Sequence, residues 1–84
     1  MNITVRTTGL MTDYLPAHAQ DDETMPLDVD DGASPVDVMR ALGIDPEERC
    51  IIAVNGSIVP KDARAGHVLS PEDEVTIMSP LQGG

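Results

Sequence analysis

The sequence contains no phenylalanine and no tryptophan, and Tyr14 is its single aromatic residue. Any core must therefore be packed from Ile, Val, Leu, Met and Ala side chains. Positive charge is scarce as well. Lys61 is the only lysine, and five basic residues face fifteen acidic ones, for a formal charge of −10 and a pI near 4.1. That balance argues against nucleic acid and against membrane surfaces as partners, because both are held through lysine and arginine. A partner with a basic surface suits the chain better. One cysteine, Cys50, cannot close an intrachain disulfide, nor can it ligate zinc or an iron–sulfur cluster alone. Long apolar runs are missing too. The longest, Ile51-Ile52-Ala53-Val54, falls far short of the ~20 residues that span a bilayer. The opening residues Met1–Arg6 show neither a basic lead nor a signal-peptide hydrophobic run, so the expected location is cytoplasmic.

What is present is enough for one small domain. The chain has 84 residues, and 40% of them are apolar, which supports a single modest core. Ten of the fifteen acids are aspartates. A lysine-poor, aspartate-rich surface suits a high-salt cytoplasm, where salt screens the self-repulsion of a large net charge.

Hydrophobic alternation and turn residues mark the elements in order. Ile3 and Val5 alternate with Thr4 and Arg6 as a strand with one buried face. Thr7 to Glu23 is irregular and reads as a long exposed connection, with Leu10, Met11, Tyr14 and Leu15 as a short helical turn capping the core. Met25, Leu27 and Val29 form a second strand, which Pro26 assigns to a sheet edge. Ser34 caps a helix with Pro35 at its first position and Asp37 completing a capping box. Val38, Ala41 and Leu42, with Met39 beside them, form its expected apolar face. Gly43 ends the helix and Ile44 folds back as the accompanying contact.

Cys50 to Val54 reads as a buried strand, and Asn55-Gly56 as a two-residue hairpin turn. Ser57 to Pro60 returns as a short edge strand. Lys61 to Leu69 is irregular with one 3₁₀ turn, and Glu74 to Met78 is a last strand with Val75 and Ile77 facing inward. One arrangement satisfies every proline: the second and fourth strands on the edges, the first and last parallel in the centre, and a right-handed crossover through the helix. The expected class is α+β, a β-grasp of four to five strands in a mixed sheet, with one helix on one face and the other face open. Residues 1–79 make this domain, and residues 80–84 make a flexible tail ending in Gly-Gly.

No interior residues form a recognisable active site. His18 and His67 are distant in the chain and stand in no pattern with Cys50 or a serine, and each reads as a loop or surface histidine. Cys50 opens a buried strand, where a small apolar side chain is common. No phosphate-cradling Gly-x-Gly-x-x-Gly is present, and carboxylate pairs arise by chance at this acid density. No metal ligands are expected, and the chain itself is not expected to be an enzyme. The informative part is the end. The four residues Leu81, Gln82, Gly83 and Gly84 reach roughly 13 Å at ~3.3 Å each, and glycine lets backbone pass through a narrow channel.

The hairpin Ala53-Val54-Asn55-Gly56-Ser57-Ile58-Val59-Pro60, the turn and strand from Ser70 to Ile77, and the terminal Pro80-Leu81-Gln82-Gly83-Gly84 resemble the MoaD/ThiS sulfur carriers, ubiquitin-like β-grasp proteins. The resemblance implies that a ubiquitin-activating-type enzyme adenylates the Gly84 carboxylate. ATP and magnesium would be supplied at that enzyme, with no cofactor bound by the chain. A persulfide or sulfide donor would then leave a thiocarboxylate on Gly84, for use by a sulfur-accepting synthase of molybdopterin, tungstopterin or thiamine type. Gly83, Gln82 and Leu81 would thread the partner's channel, with Leu81 as an apolar anchor. Met78 and Pro80 join it as docking candidates on or beside the open sheet face, where acidic neighbours would meet a basic rim. Two alternatives stand beside this reading: a ubiquitin-like modifier joined through Gly84 to target lysines, and a non-catalytic β-grasp interaction domain.

Overall fold

The computed structural model describes residues 1–80. Five strands form one mixed sheet: β1 (Asn2–Thr7), β2 (Thr24–Asp28), β3 (Ile51–Val54), β4 (Ser57–Val59) and β5 (Glu74–Met78). Their order is β2-β1-β5-β3-β4, with β1 and β5 parallel at the centre and the remaining pairs antiparallel. Both proline-marked strands lie on edges, as their missing or terminal backbone donors require.

The period-2 pattern assigns the faces. Ile3 and Val5 of β1, Ile52 and Val54 of β3, Val59 of β4, and Val75 and Ile77 of β5 point to one side and are buried. Helix α2 (Pro35–Ala41) covers that side and contributes Val38 and Met39 to the same cluster. Its start is the expected capping box. The Asp37 N–H donates to Ser34 Oγ at 3.4 Å, and the Ser34 N–H donates to Asp37 Oδ2 at 2.9 Å. Its end is a Schellman motif, in which the Gly43 N–H bonds Arg40 O at 3.1 Å and the Ile44 N–H bonds Met39 O at 2.8 Å. Ile44 is thereby buried.

The apolar face of α2 differs from the expected one. Ala41 is exposed and Leu42 only half-buried, whereas Pro35, Val38 and Met39 are buried. The true stripe runs 35, 38, 39, 42, which is i, i+3, i+4, i+7. The spacing at Val38, Ala41 and Leu42 fits a helix equally well, but packing against the sheet turns the helix to bury Met39.

At the β3–β4 hairpin both turn residues have positive φ, 51° at Asn55 and 87° at Gly56, the geometry of a type I′ turn. The Asn55 side chain also ties this hairpin to β5. Its Nδ2–H donates to Asp73 Oδ1, and its Oδ1 accepts from the Glu74 N–H, both at 2.9 Å.

The connection after β1 is more ordered than expected. It contains a 3₁₀ segment (Gly9–Tyr14) and a four-residue helix α1 (Ala17–Gln20). Met11, Leu15 and Ala19 are core residues, while Leu10 is 70% exposed. A hydroxyl chain from Thr7 through Thr12 to Glu23, at 2.9 and 3.0 Å, closes this segment over the end of β1. A second 3₁₀ segment (Lys61–Gly66) packs against α2. Among the described residues no helix is long and apolar enough to cross a membrane.

Candidate functional site

The site is built where β5 hands the chain to its last residues. Alternation along β5 places Val75 and Ile77 in the core, so Glu74, Thr76 and Met78 take the opposite face. Met78 is half-buried there, opposite Ile51 of β3. A cross-strand row on the same face joins Ile58, Ala53, Thr76 and Arg6. Ile58 is 60% exposed on the edge, and Arg6 pairs with Glu74 at 3.2 Å. The face opposite α2 is thus of mixed apolar and polar character, with Met78 at the end of β5.

Ser79 fixes that end of β5. Its Oγ accepts the Leu10 N–H at 2.8 Å and donates to Thr8 O at 3.2 Å, while the Thr8 N–H donates to Ile77 O at 3.1 Å. The 3₁₀ segment after β1 therefore clamps the end of β5. This clamp was not foreseen, because nothing in the residues around Gly9 signals contact with a residue 70 positions away.

Pro80 is half-buried and lines a groove of ≈ 270 Å³ with Glu47, Glu48, Arg49, Cys50, Lys61 and Arg64. Three of the chain's five basic residues meet here, although the chain as a whole carries −10. The groove sets three cations against two glutamates. Lys61 pairs with Glu47 at 3.1 Å. Arg64 is only 6% exposed; its Nη2 donates to Cys50 O at 2.7 Å, and its Nη1 lies 3.9 Å from Cys50 Sγ. Burial pushes the Cys50 thiol above its ordinary pKa, and the neighbouring guanidinium opposes that shift. Arg64 escaped sequence reasoning because a lone arginine in a short irregular segment carries no periodic signal of burial.

Leu81, Gln82, Gly83 and Gly84 lie outside the described residues. His18 is exposed on α1, and His67 is half-buried beyond the second 3₁₀ segment. No group of three or more His, Cys, Asp and Glu side chains among the described residues could hold a metal ion.

A five-stranded mixed sheet with parallel central strands, one covering helix and a chain end leaving the last strand defines a β-grasp protein of ubiquitin-like type. The ThiS family model matches residues 18–84, and the chain belongs to that family. No curated protein matches it in sequence. Among solved structures, SAMP1 from Haloferax volcanii is similar at 18% identity with a TM-score of 0.72, covering 100% of both chains. Small archaeal modifier protein 1 from H. volcanii is similar at 19% identity and a TM-score of 0.66, over 95% of this chain and 98% of that one. The complex of subunits 1 and 2 of molybdopterin-converting factor from Helicobacter pylori contains a chain similar at 20% identity and a TM-score of 0.61, with 100% of both covered. These likenesses establish the fold.

Proposed function

We propose that the chain is a cytoplasmic sulfur carrier whose Gly84 carboxyl group is the working end. The observation that carries this reading is the ThiS family match, which runs through Gly83 and Gly84. A carboxylate is a poor electrophile, because its charge repels nucleophiles and oxide is a poor leaving group. A ubiquitin-activating-type partner supplies ATP and magnesium; the Gly84 carboxylate oxygen attacks the α-phosphorus, and pyrophosphate departs. Sulfide, or a persulfide sulfur, then attacks the acyl carbon of the mixed anhydride. AMP leaves with the bonding electron pair. With a persulfide, reductive cleavage of the sulfur–sulfur bond by a thiol frees the thiocarboxylate. The resulting terminal sulfur is a nucleophile for a sulfur-accepting synthase of molybdopterin, tungstopterin or thiamine type.

In this reading the chain is a co-substrate and the partners perform the catalysis. Residues 80–84 act as a tail beyond the domain of residues 1–79: Gly83 gives clearance, Gln82 and Leu81 thread the partner's channel, and Met78 and Pro80 dock beside it. A second reading, attachment of Gly84 to target lysines, draws support from the likeness to small archaeal modifier protein 1. Both begin with the same adenylate and part afterwards.

The test is ATP–pyrophosphate exchange with the activating enzyme from the same cell, followed by intact mass of the native protein. Exchange together with a species in which one oxygen is replaced by sulfur is the expected result. Exchange with branched Gly-Gly remnants on other proteins, and no sulfur-bearing species, transfers the function to the modifier reading. Absence of exchange rejects both.

A further inference from the structure

The β3–β4 turn holds a reactive pair that the carrier reading does not use. Of the chain's two asparagines, Asn2 and Asn55, only Asn55 is followed by glycine. Both Asn55 and Gly56 are exposed, and a Cβ built at Gly56 would meet nothing within 4 Å. Neither a side chain of its own nor a packed neighbour shields the Gly56 backbone nitrogen from the side chain before it. What restrains the pair is the Asn55 amide. Its Nδ2–H donates to Asp73 Oδ1 and its Oδ1 accepts from the Glu74 N–H, both at 2.9 Å, while the Asn55 N–H donates to Glu74 O at 2.8 Å. The side chain is thus turned toward the start of β5 and held there. Two such bonds, one of them to a carboxylate, leave it free about one part in ten to one in a hundred of the time.

We propose that Asn55 is a site of spontaneous deamidation, held in check by Asp73 and Glu74, whose reaction releases the β3–β4 hairpin from β5. In the free fraction the Gly56 nitrogen gives its proton to solvent base and attacks Asn55 Cγ. The N–Cγ bond forms, the Cγ–Nδ2 bond breaks, and Nδ2 takes a proton from water and leaves as ammonia. Water then opens the cyclic imide at either carbonyl, giving aspartate or isoaspartate; nothing is oxidised or reduced. Aspartate puts a carboxylate oxygen where the Nδ2–H stood, against Asp73 Oδ1, so a hydrogen bond becomes a repulsion between like charges. Isoaspartate also adds a methylene to the main chain. A two-residue turn closing on Val54 and Ser57 cannot absorb it without losing register. Either product loosens the hairpin that carries Ile58 onto the open face. The reaction runs one way and needs no enzyme, so the modified fraction records the age of the molecule.

The full-length protein is incubated at mildly alkaline pH, and the tryptic peptide 50–61 is followed by mass and by chromatographic separation of its isoaspartyl form. Deamidation in the folded chain is expected to run at least about tenfold slower than in the same chain unfolded in urea. Asp73→Ala removes the acceptor of the Nδ2–H and should raise the folded-state rate about threefold or more. Asp73→Asn keeps an acceptor oxygen and should stay near the parent. Melting curves verify that both variants fold, and Asn55→Asp carries the test if Asp73→Ala does not. At neutral pH Asn55→Asp should exchange the amide hydrogens at positions 55 and 74 about tenfold faster than the parent, with those of Val5 and Val75 unchanged. Equal deamidation rates in the folded and unfolded chain overturn the proposal. So does a folded Asp73→Ala variant at the parent's rate, or unchanged exchange at positions 55 and 74 in Asn55→Asp. None of these readouts involves Gly84 or an activating enzyme, so failure here leaves the carrier reading in place, and loss of pyrophosphate exchange leaves this proposal in place.

Discussion

Gly9 and Ser79 approach so closely that a Cβ built at Gly9 falls 2.7 Å from Ser79 Oγ and 3.2 Å from Ser79 Cβ, on a backbone with φ of +57°. The contact joins the loop after β1 to the residue that follows β5, and it positions the hydroxyl to accept the Leu10 N–H. Left-handed backbone favours glycine at position 9, and the neighbour's proximity excludes even a methyl group without displacement.

Gly9→Ala is therefore expected to destabilise the fold by about 1–3 kcal/mol, combining backbone strain with the displaced Ser79. Ser79→Ala removes the nearer of the two clashing atoms, so the double variant should be more stable than the sum of the single effects. Urea unfolding of all four proteins measures the coupling, expected at about 0.5–1 kcal/mol. Additive effects would show that strain at Gly9 alone sets the loss.

The face of α2 gives a second ordering. Met39 is fully buried, Leu42 half-buried and Ala41 exposed. Met39→Ala should cost about 2–5 kcal/mol through lost packing and the cavity left behind. Leu42→Ala should cost less than Met39→Ala, because part of its side chain is already in water. Ala41→Gln should stay within about 0.5 kcal/mol of the parent. Chemical denaturation checks the series, and a larger loss at Leu42 than at Met39 would contradict the observed rotation of the helix.

These two cases divide what the residues disclose from what they do not. Asn55-Gly56, the Ser34–Asp37 box, Gly43 and the two edge prolines each specify a local geometry through their own stereochemistry. The strand order follows from them with little else. The phase of α2 did not follow, because seven residues accommodate two apolar stripes and only the sheet chooses between them. The segments Gly9–Tyr14 and Ala17–Gln20 are too short to show a period, and their order comes from Met11, Leu15 and Ala19 entering a distant core. At the tail, Gly83-Gly84 was legible as a motif and carried the family resemblance. The groove under Pro80 was not, since it is assembled from residues 47–50, 61 and 64, and burial of Arg64 is a product of packing.

Asp73 supplies a pH-dependent contribution. Its carboxylate accepts the Ser70 N–H at 2.8 Å and the Asn55 Nδ2–H at 2.9 Å, and these bonds hold its pKa below the usual carboxylate range. A depressed folded-state pKa means stability present above the unfolded value of about 3.9 and lost as pH falls through the folded value. Asp73→Asn should therefore be less stable than the parent at neutral pH by about 0.5–1 kcal/mol, a difference kept small by solvent screening. That difference should shrink below about pH 4. Thermal unfolding of both proteins across this range tests it, and a pH-independent difference would remove Asp73 from the acid response.

The sheet face and the chain end can be separated kinetically, because docking and chemistry leave different signatures. Met78 and Ile58 lie on the face opposite α2, apart from the reacting carboxyl group in the carrier reading. If that face docks the activating enzyme, Ile58→Glu and Met78→Glu remove contacts made equally before and during the reaction. The expected result in pyrophosphate exchange is a raised KM with kcat nearly unchanged, by about ten- to a hundredfold for a loss of 1.4–2.8 kcal/mol. Ile58 is the cleaner position, since it is 60% exposed and its replacement leaves the core intact. In the carrier reading, deletion of Gly84 acts on the reacting group itself. It should abolish exchange at every concentration of carrier while the melting temperature stays at the parent's value. A deletion variant that exchanges once its concentration is raised would move the reacting carboxylate away from Gly84. An Ile58→Glu variant with lowered kcat and unchanged KM would place this face in the chemical step instead of in docking.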